Sequence, residues 1–213
     1  MKGPACSVEP RKLDKKMSTI DGKLRLTNVR LSFPQLFRPK SWQQGQEPSY
    51  SANFILSKTD DAEQILAIRQ KMTELARERW GAAIPKGIKL CLRDGGEEGK
   101  TDVDGYGPTV MFLSTSSRKK IPLVDRNLAP LTEDDGKLYA GCYVNASMRF
   151  WVQDNEFGKR VNAQLNAVQF ALDGEAFGEA PVKVEEVFDN LGEDADTPQP
   201  NAASGDEGGG LLG

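Results

Sequence analysis

The amino-acid sequence predicts a mainly β domain with one principal α-helix, followed by a disordered acidic tail. In several segments apolar and polar residues alternate between turns rich in Pro, Gly and Asp, which is the period of half-buried strands. Only one segment, at about residues 61–80, has apolar residues at helical spacing. Hydrophobic residues make up 38% of the 213 residues, and so low a fraction indicates a segment without a core.

Charge is distributed unevenly along the chain. Residues 181–213 hold eight acidic residues and one basic residue, a net charge of −7, whereas residues 1–16 hold five basic and two acidic residues. The body between them is close to neutral. We expect residues 189–213 to form a disordered tail, because they contain too little apolar surface to offset the entropy lost on ordering. Residues 1–17 are expected to be a flexible extension, either an upstream addition or a basic arm for nucleic acid, which leaves residues 18–188 as the folded domain.

The predicted strands bend. In the first of them, residues 23–33, the apolar residues change face after Asn28, and in the last, residues 159–172, they change face after Ala167. A change of phase inside a strand is typical of a β-bulge, which bends the strand. Two such bends favour a small closed barrel over an open sheet. The apolar residues expected to follow the core side of these strands are Leu24, Leu26, Val29, Leu31 and Phe33 in the first, and Val161, Ala163, Leu165, Ala167, Val168, Phe170 and Leu172 in the last.

The helix has a start signal and an apolar face. Asp60 and Glu63 have the spacing of a capping box. Ile65, Ile68 and Met72 follow at helical spacing, and the remaining faces carry many cations. We expect the helix to cover one end of the sheet with its charges solvated.

A long hairpin near residues 138–172 carries the predicted binding face. One side of its first strand is apolar and belongs to the core, while the other interleaves aromatic rings with cations. Bases stack on such rings at roughly 1–3 kcal/mol each, and Lys and Arg engage phosphates. This pattern predicts a surface for single-stranded DNA; the alternative is a half-exposed face with chance aromatics, or rings buried beneath a loop. The predicted DNA-binding residues are Tyr143, Arg149, Trp151, Lys159 and Arg160 on the hairpin, Arg38, Lys40 and Trp42 in a loop after the first strand, and Arg118, Lys119 and Lys120 in a basic turn.

The acidic tail suggests a second function. A flexible acidic arm can occupy a basic groove while DNA is absent, and its freed end can then bind partner proteins. The alternative is a tail that only keeps the chain soluble. The residues assigned to this role are Asp189, Glu193, Asp194, Asp196, Asp206 and Glu207.

Residue types that are missing exclude many kinds of chemistry. The chain has no histidine and three dispersed cysteines without a CxxC pair, which excludes Ser/His/Asp triads and His-ligated zinc and suggests reduced thiols in a cytoplasm. We therefore expect no catalysis, cofactor or metal. The sequence also has no run of eighteen apolar residues, so we expect no membrane span. One enzyme alternative stays open, because Asp125 and Asp135, with Lys137, imitate a metal-dependent nuclease. Residues 134–137 are nevertheless typical of an ordinary turn.

Two segments carry a family resemblance. Residues 22–34, GKLRLTNVRLSFP, and residues 50–58, YSANFILSK, leading into the helix, resemble a family of bacteriophage single-stranded DNA-binding proteins, and the long hairpin and acidic tail follow in the family's order. The resemblance implies a five-stranded OB-fold barrel that coats single strands during phage replication and recombination in the bacterial cytoplasm. It also implies that DNA binds in a groove of aromatic and basic side chains. The residues of this sequence that match the groove are Tyr143, Arg149, Trp151, Lys159 and Arg160.

The same resemblance implies further properties. Some relatives anneal strands, form homodimers or recruit replication and recombination proteins through the tail. The better-known tails end in an aromatic residue, whereas this sequence ends Gly-Gly-Gly-Leu-Leu-Gly, so recruitment here would depend on Leu211 and Leu212. A phage structural or interaction protein with a solubilising tail is the remaining alternative.

Overall fold

The computed structural model describes residues 18–20, 23–41, 44–96 and 103–178. By its internal contacts the chain divides into Met1–Glu179, which contains all of these residues, and Ala180–Gly213. The domain boundaries predicted at residues 17 and 188 and the acidic tail therefore lie outside the described residues and stay predictions. The elements are β1 (Ser18–Ile20), β2 (Lys23–Lys40), β3 (Ser49–Ser57), α1 (Ala62–Trp80), β4 (Lys89–Leu90), β5 (Leu92–Asp94), β6 (Val110–Ser117), β7 (Leu123–Val124), a 3-10 turn (Glu133–Asp135), β8 (Tyr143–Asn155) and β9 (Gly158–Leu172).

Five of the strands close into a barrel. β2 pairs antiparallel with β3 on one side and with β8 on the other, β3 pairs with β6, and β8 pairs with β9. A short parallel pairing of β6 with β9, at Thr115↔Ala163 and Ser116↔Gln164, closes the ring. The predicted OB-fold barrel with one principal helix is thereby confirmed.

Both predicted bulges are present. On β2, Leu26 pairs with Ala146 and Val29 with Val144, so β2 has one more residue than β8 between these pairs, and Asn28 adopts a φ of 53°. On β9, a register shift between Ser147 and Met148 of β8 leaves Asn166 as the extra residue, so Ala167 is half-buried opposite Ser147 and not on the core side where it was predicted. A second shift, between Tyr143 and Val144 of β8, leaves the predicted core residue Leu172 half-buried, while Ala171 is buried. Each bulge moves the side chains that follow it to the other face. The apolar residues after the bulge therefore point to the core side of the bent strand.

Phe33 departs from its predicted place in the core. It is 46% exposed, because a register shift between Ser32 and Gln35 and a φ of 46° at Phe33 turn its ring outward. β2 also continues to Lys40, so Arg38 and Lys40 lie on a strand and not in the loop where they were predicted.

The helix begins one residue later than its predicted capping box requires. Asp61 is the N-cap residue, and no side-chain capping hydrogen bond forms there. Asp61 instead accepts a hydrogen bond from the backbone N–H of Ser57 at 2.9 Å, which ties the end of β3 to the helix. The buried side of α1 joins the barrel core as predicted, through Ile65, Ile68 and Met72.

Gln64 joins the helix to the bulge in β2. Its side chain is 1% exposed; its Oε1 accepts from the backbone N–H of Thr27 at 2.9 Å, and its Nε2 donates to the carbonyl of Thr27 at 3.1 Å and to Oδ1 of Asp61 at 2.9 Å. The bulge frees these backbone groups of Thr27 from the sheet ladder, and Gln64 replaces the missing partners.

Replacing Gln64 with leucine should destabilise the domain, because buried polar groups left without partners cost about 1–3 kcal/mol each. Urea unfolding of the variant should show a lower free energy of unfolding. Gln70→Leu makes the same chemical change at an exposed position of α1 and should leave that free energy nearly unchanged. Equal losses in both variants would show that Gln64 has no special structural role.

Candidate nucleic-acid interface

The hairpin separates a buried face from an exposed one, as predicted. Along β8 the core side chains Val144, Ala146, Met148 and Phe150 are all buried. On the opposite face Arg149 is exposed and pairs across the hairpin with Gln164, while Trp151 is 43% exposed and pairs with Asn162. A ring and a cation therefore lie beside amide side chains that can donate and accept hydrogen bonds.

Tyr143 occupies a different environment from Trp151. It begins β8, eight residues before Trp151, which corresponds to roughly 25 Å along a strand. Its ring is half-buried, 5.6 Å from the guanidinium carbon of Arg30, and Gly174 lies directly against it. Tyr143 and Trp151 consequently cannot contact the same nucleotide.

Lys159 and Arg160 start β9 next to the hairpin turn. Lys159 is exposed, whereas Arg160 is half-buried and pairs with Lys89 of β4. Nε of Arg160 is buried and has no hydrogen-bond partner among the described residues. This donor becomes accessible to a ligand only if the Arg160 side chain moves.

The remaining predicted cations gather at one end of the barrel. Lys40 pairs with Ser49, and Tyr50 pairs with Ser117, so the end of β2, the start of β3 and the end of β6 are neighbours. Two ion pairs form here between exposed side chains, Arg38–Glu133 at 2.9 Å and Arg118–Glu47 at 3.1 Å. Lys40, Lys119 and Lys120 are exposed, and Trp42 lies outside the described residues.

Strand register connects the hairpin face to the outer face of β3 and β6. One row of outward side chains runs from Arg149 through Gln164 to Ser116 and Ser51. A second row lies two residues further along each strand. In it Trp151 pairs with Asn162, and Ser114 pairs with Asn53, which in turn pairs with Ser32 beside Phe33. The exposed rings of Trp151 and Phe33 thus lie at opposite ends of a polar band formed by these two rows.

The Phe33 end of this band is built from aromatic rings that the sequence analysis did not select. The ring centroid of Phe33 is 6.0 Å from that of Tyr106, which in turn lies 5.1 Å from that of Phe112. The hydroxyl of Tyr106 accepts a hydrogen bond from Nδ2 of Asn53 at 2.9 Å and lies 3.3 Å from Oγ of Ser32. Phe33 is therefore supported from below by a buried ring whose position is fixed.

Arg93 supplies a cation on the same surface. Its guanidinium carbon lies 4.6 Å from the ring centroid of Phe112, and its Nη2 donates to Oγ of Ser114 at 3.0 Å. These two contacts fix the position of the guanidinium beside Phe112 and Ser114. We call the set Phe33, Asn53, Arg93, Tyr106 and Ser114 the β3–β6 face.

A cleft of about 800 Å³ lies between this face and β9. It opens where β6 and β9 separate and Cys91 bridges them, with its N–H donating to Val161 at 3.0 Å and its carbonyl accepting from Ser114 at 2.9 Å. The polar and charged residues that line the cleft include Arg69, Lys89, Arg93, Asp94, Ser114, Ser116, Arg160 and Asn162. Among the described lining residues, four cations against one carboxylate favour an anionic ligand such as a phosphate backbone.

The carboxylates of the nuclease alternative are engaged in local turns. Oδ1 of Asp125 accepts from the backbone N–H groups of Asn127 and Ala129 at 2.7 and 2.8 Å. Oδ2 of Asp135 accepts from the N–H and hydroxyl of Thr132, and these bonds lower the pKa of that carboxyl. Among the described residues no three His, Cys, Asp or Glu side chains are grouped so that they could hold a metal ion.

The two described cysteines are buried and free, and burial raises the pKa of Cys91 and of Cys142 to about 12. Both therefore remain neutral thiols near pH 7, without the thiolate character that nucleophiles and metal ligands need. Within the described residues, no helix combines the length and apolar character required to cross a membrane.

Comparison with known proteins places the chain in a family. Residues 22–198 match the model of the single-stranded DNA-binding protein of Enterobacter phage Enc34. Protein p50 of Acyrthosiphon pisum secondary endosymbiont phage 1 is 39% identical over 180 residues, which cover 79% of this chain and 94% of that protein.

Solved structures agree with this match. The single-stranded DNA-binding protein from bacteriophage Enc34 in complex with ssDNA is 26% identical, with a TM-score of 0.69 over 82% of this chain and 100% of that one. The gp2.5 single-stranded DNA-binding protein of bacteriophage T7, at 12% identity and a TM-score of 0.52 over 82% of this chain and 98% of that one, shares the fold. The chain belongs to the phage Enc34 family of single-stranded DNA-binding proteins.

Proposed function

We propose that this protein binds single-stranded DNA without sequence preference, along the polar band that runs from the β3–β6 face to Trp151. The observation that carries the proposal is the band itself, which has an exposed ring at each end and a cation-rich cleft beside it. In chain order β3 and β6 are the second and third strands of the barrel, and OB-folds bind oligonucleotides on the face of these strands. Family membership and the Enc34 complex with ssDNA support single-stranded DNA as the ligand.

Stacking accounts for binding that does not depend on sequence. Every base presents a π-face, so rings such as Phe33 and Trp151 accept any nucleotide, while Arg93 and Arg160 engage the phosphates. Phe157 adds a third exposed ring, at 72% exposure, in the turn between the fourth and fifth barrel strands. OB-folds also use the loop between their fourth and fifth strands to bind oligonucleotides.

Family membership supports a biological role for this binding. The protein coats single strands during phage replication and recombination in the bacterial cytoplasm, and it does so without catalysis or a cofactor. Its acidic tail, with Asp189, Glu193, Asp194, Asp196, Asp206 and Glu207, competes with DNA for the basic surface and binds replication or recombination proteins once it is released. Annealing of complementary strands and homodimer formation are separate predictions, each measurable on the purified chain.

A fluorescence anisotropy titration of the full chain tests the proposal. Labelled oligo(dT), a mixed-sequence single strand and a duplex of the same length are each titrated at several salt concentrations. Both single strands should bind with similar affinity and more tightly than the duplex, with binding that weakens as salt rises. No binding at micromolar protein and low salt, or equal binding to the duplex, would refute it. Strand cleavage in Mg²⁺ that is lost in Asp135→Ala would instead support the nuclease alternative.

A further inference from the structure

Arg30 of β2 lies between two aromatic rings on the outer side of the barrel. Its guanidinium carbon is 4.2 Å from the ring centroid of Phe177 and 5.6 Å from that of Tyr143. Nε donates to the carbonyl of Gly141 at 3.2 Å, and Nη2 donates to the carbonyl of Glu175. Neither acceptor is a carboxylate, so these two hydrogen bonds do not neutralise the positive charge of the guanidinium.

Phe177 reaches Arg30 from a short segment that follows β9, residues 173–178, which we call the strap. Three backbone N–H groups hold it: Gly174 donates to the hydroxyl of Tyr139 at 3.0 Å, Phe177 to the carbonyl of Ala140 at 2.9 Å, and Gly178 to Oδ2 of Asp104 at 2.8 Å. These bonds are individually weak, since a typical hydrogen bond contributes about 1 kcal/mol net. The hydroxyl of Tyr139 also lies 2.9 Å from the carbonyl of Gly174, and Arg30 binds the carbonyl of Glu175. The strap is therefore held by side chains and loops, and it pairs with none of the described strands.

Glycines allow the strap to approach so closely. A Cβ on Gly105, which has a φ of 81°, would overlap the Phe177 ring, and a Cβ on Gly174 would overlap the carbonyl of Gly141. The Phe177 ring also packs against the small cluster of Ile55, Tyr106 and Phe112. Tyr106 supports Phe33 on its other side, so the strap lies directly beside the β3–β6 face.

A guanidinium beside an aromatic ring is an arrangement that proteins use to hold an unstacked nucleobase. Phe177 fills the place of such a base but can form no hydrogen bond with its ring. A nucleobase at this position could stack on Arg30 and also use its polar edge. Single-stranded DNA that passes the β3–β6 face would thus gain a contact if the strap moved away.

We propose that Arg30 and Tyr143 form a nucleobase-binding subsite, and that Phe177 occupies it in the free protein until a base of single-stranded DNA replaces it. This inference rests on the proposed function and adds a specific site and a competitor to it. It also gives Tyr143 a role distinct from that of Trp151, which explains how both can contact DNA although they lie far apart on β8.

Affinity measurements on strap variants test the competition. Phe177→Ala should bind oligo(dT) about 5-fold or more tightly, because apparent affinity rises in proportion to the population of the binding-competent form. Val103→Ala is the matched control, since Val103 packs against the same apolar cluster but is not the ring that lies on Arg30. Arg30→Lys keeps the charge and loses the flat stacking surface. In the wild type this change also loosens the strap, which partly offsets the lost stacking, so it should weaken binding more in the Phe177→Ala background.

Hydrogen exchange followed by mass spectrometry gives a readout that does not depend on affinity. The N–H groups of Gly174, Phe177 and Gly178 should be protected in the free protein and should exchange faster when oligo(dT) is bound, the reverse of the usual protection by a ligand. Binding with the strap amides still protected, or a Phe177→Ala variant that binds no more tightly than Val103→Ala, would overturn this proposal alone. Absence of binding by the wild-type chain would overturn the proposed function and this proposal together.

Discussion

Replacing Phe33 with alanine is expected to weaken binding of single-stranded DNA by about 5- to 150-fold, which corresponds to the roughly 1–3 kcal/mol that one stacked base contributes. The ring is half-exposed, and the left-handed backbone conformation that turns it outward is uncommon for a bulky residue. Such strain is often found at binding sites. Because the ring lies outside the core, the free energy of unfolding should change by only about 0.5 kcal/mol.

The chain offers a matched control for this experiment. Leu128 is also a large apolar residue, 70% exposed and with a positive φ of 68°, but it lies in the loop after β7, away from the polar band. Leu128→Ala should leave DNA affinity unchanged. Anisotropy titrations with oligo(dT) and thermal melts of both variants make the comparison, and equal affinities for Phe33→Ala and wild type would remove Phe33 from the interface.

Trp151→Ala tests whether DNA contacts the end of the band opposite Phe33. We expect it to weaken binding without unfolding the domain, since its ring is well exposed on β8. If Phe33→Ala and Trp151→Ala both weaken binding, DNA contacts the whole band. An effect of Trp151→Ala alone would confine the interface to the hairpin, and an effect of Phe33→Ala alone would confine it to the β3–β6 face.

The architecture of the barrel could be predicted from local patterns. Strand side chains alternate with a period of two, so an inserted residue reverses the apolar pattern and reveals a bulge in the sequence itself. The reversal at Asn28 therefore marked the first bulge, and the reversal predicted after Ala167 lay one residue beyond the second, at Asn166. Both reversals indicated the bending of the strands. The apolar face of β8 was visible for the same reason.

The β3–β6 face could not be predicted in this way, because it depends on contacts between distant residues. Asn53 and Tyr106 meet through a loop of Gly, Asp and Pro whose sequence has no period. Phe33 continues the apolar alternation of β2, but its positive φ and the register shift beside it turn its ring out of the core. Phe177 and Arg30 are in contact although they lie near opposite ends of the domain sequence, and neither residue is unusual in its local sequence.

The basic end of the barrel provides the last test, which concerns phosphates and not bases. Arg118, Lys119 and Lys120 directly follow β6, whose outward residues belong to the band. Arg118 pairs with Glu47, but both side chains are largely exposed, and such surface pairs contribute about 0–1 kcal/mol. All three cations are thus available to a DNA backbone that leaves the β3–β6 face at this end.

Replacing Arg118, Lys119 and Lys120 together with alanine should weaken binding strongly at low salt and bring it close to wild type at high salt. Each phosphate contact with a single strand contributes about −0.7 to the slope of log K against log salt, so loss of three contacts should make the slope less negative by about 2. The control is a triple alanine variant at Lys71, Arg77 and Lys86, which removes the same charge from α1 and the loop after it. If this control changes the slope equally, overall charge and not local phosphate contact governs binding. An unchanged slope in the first variant would mean that DNA leaves the β3–β6 face by another route.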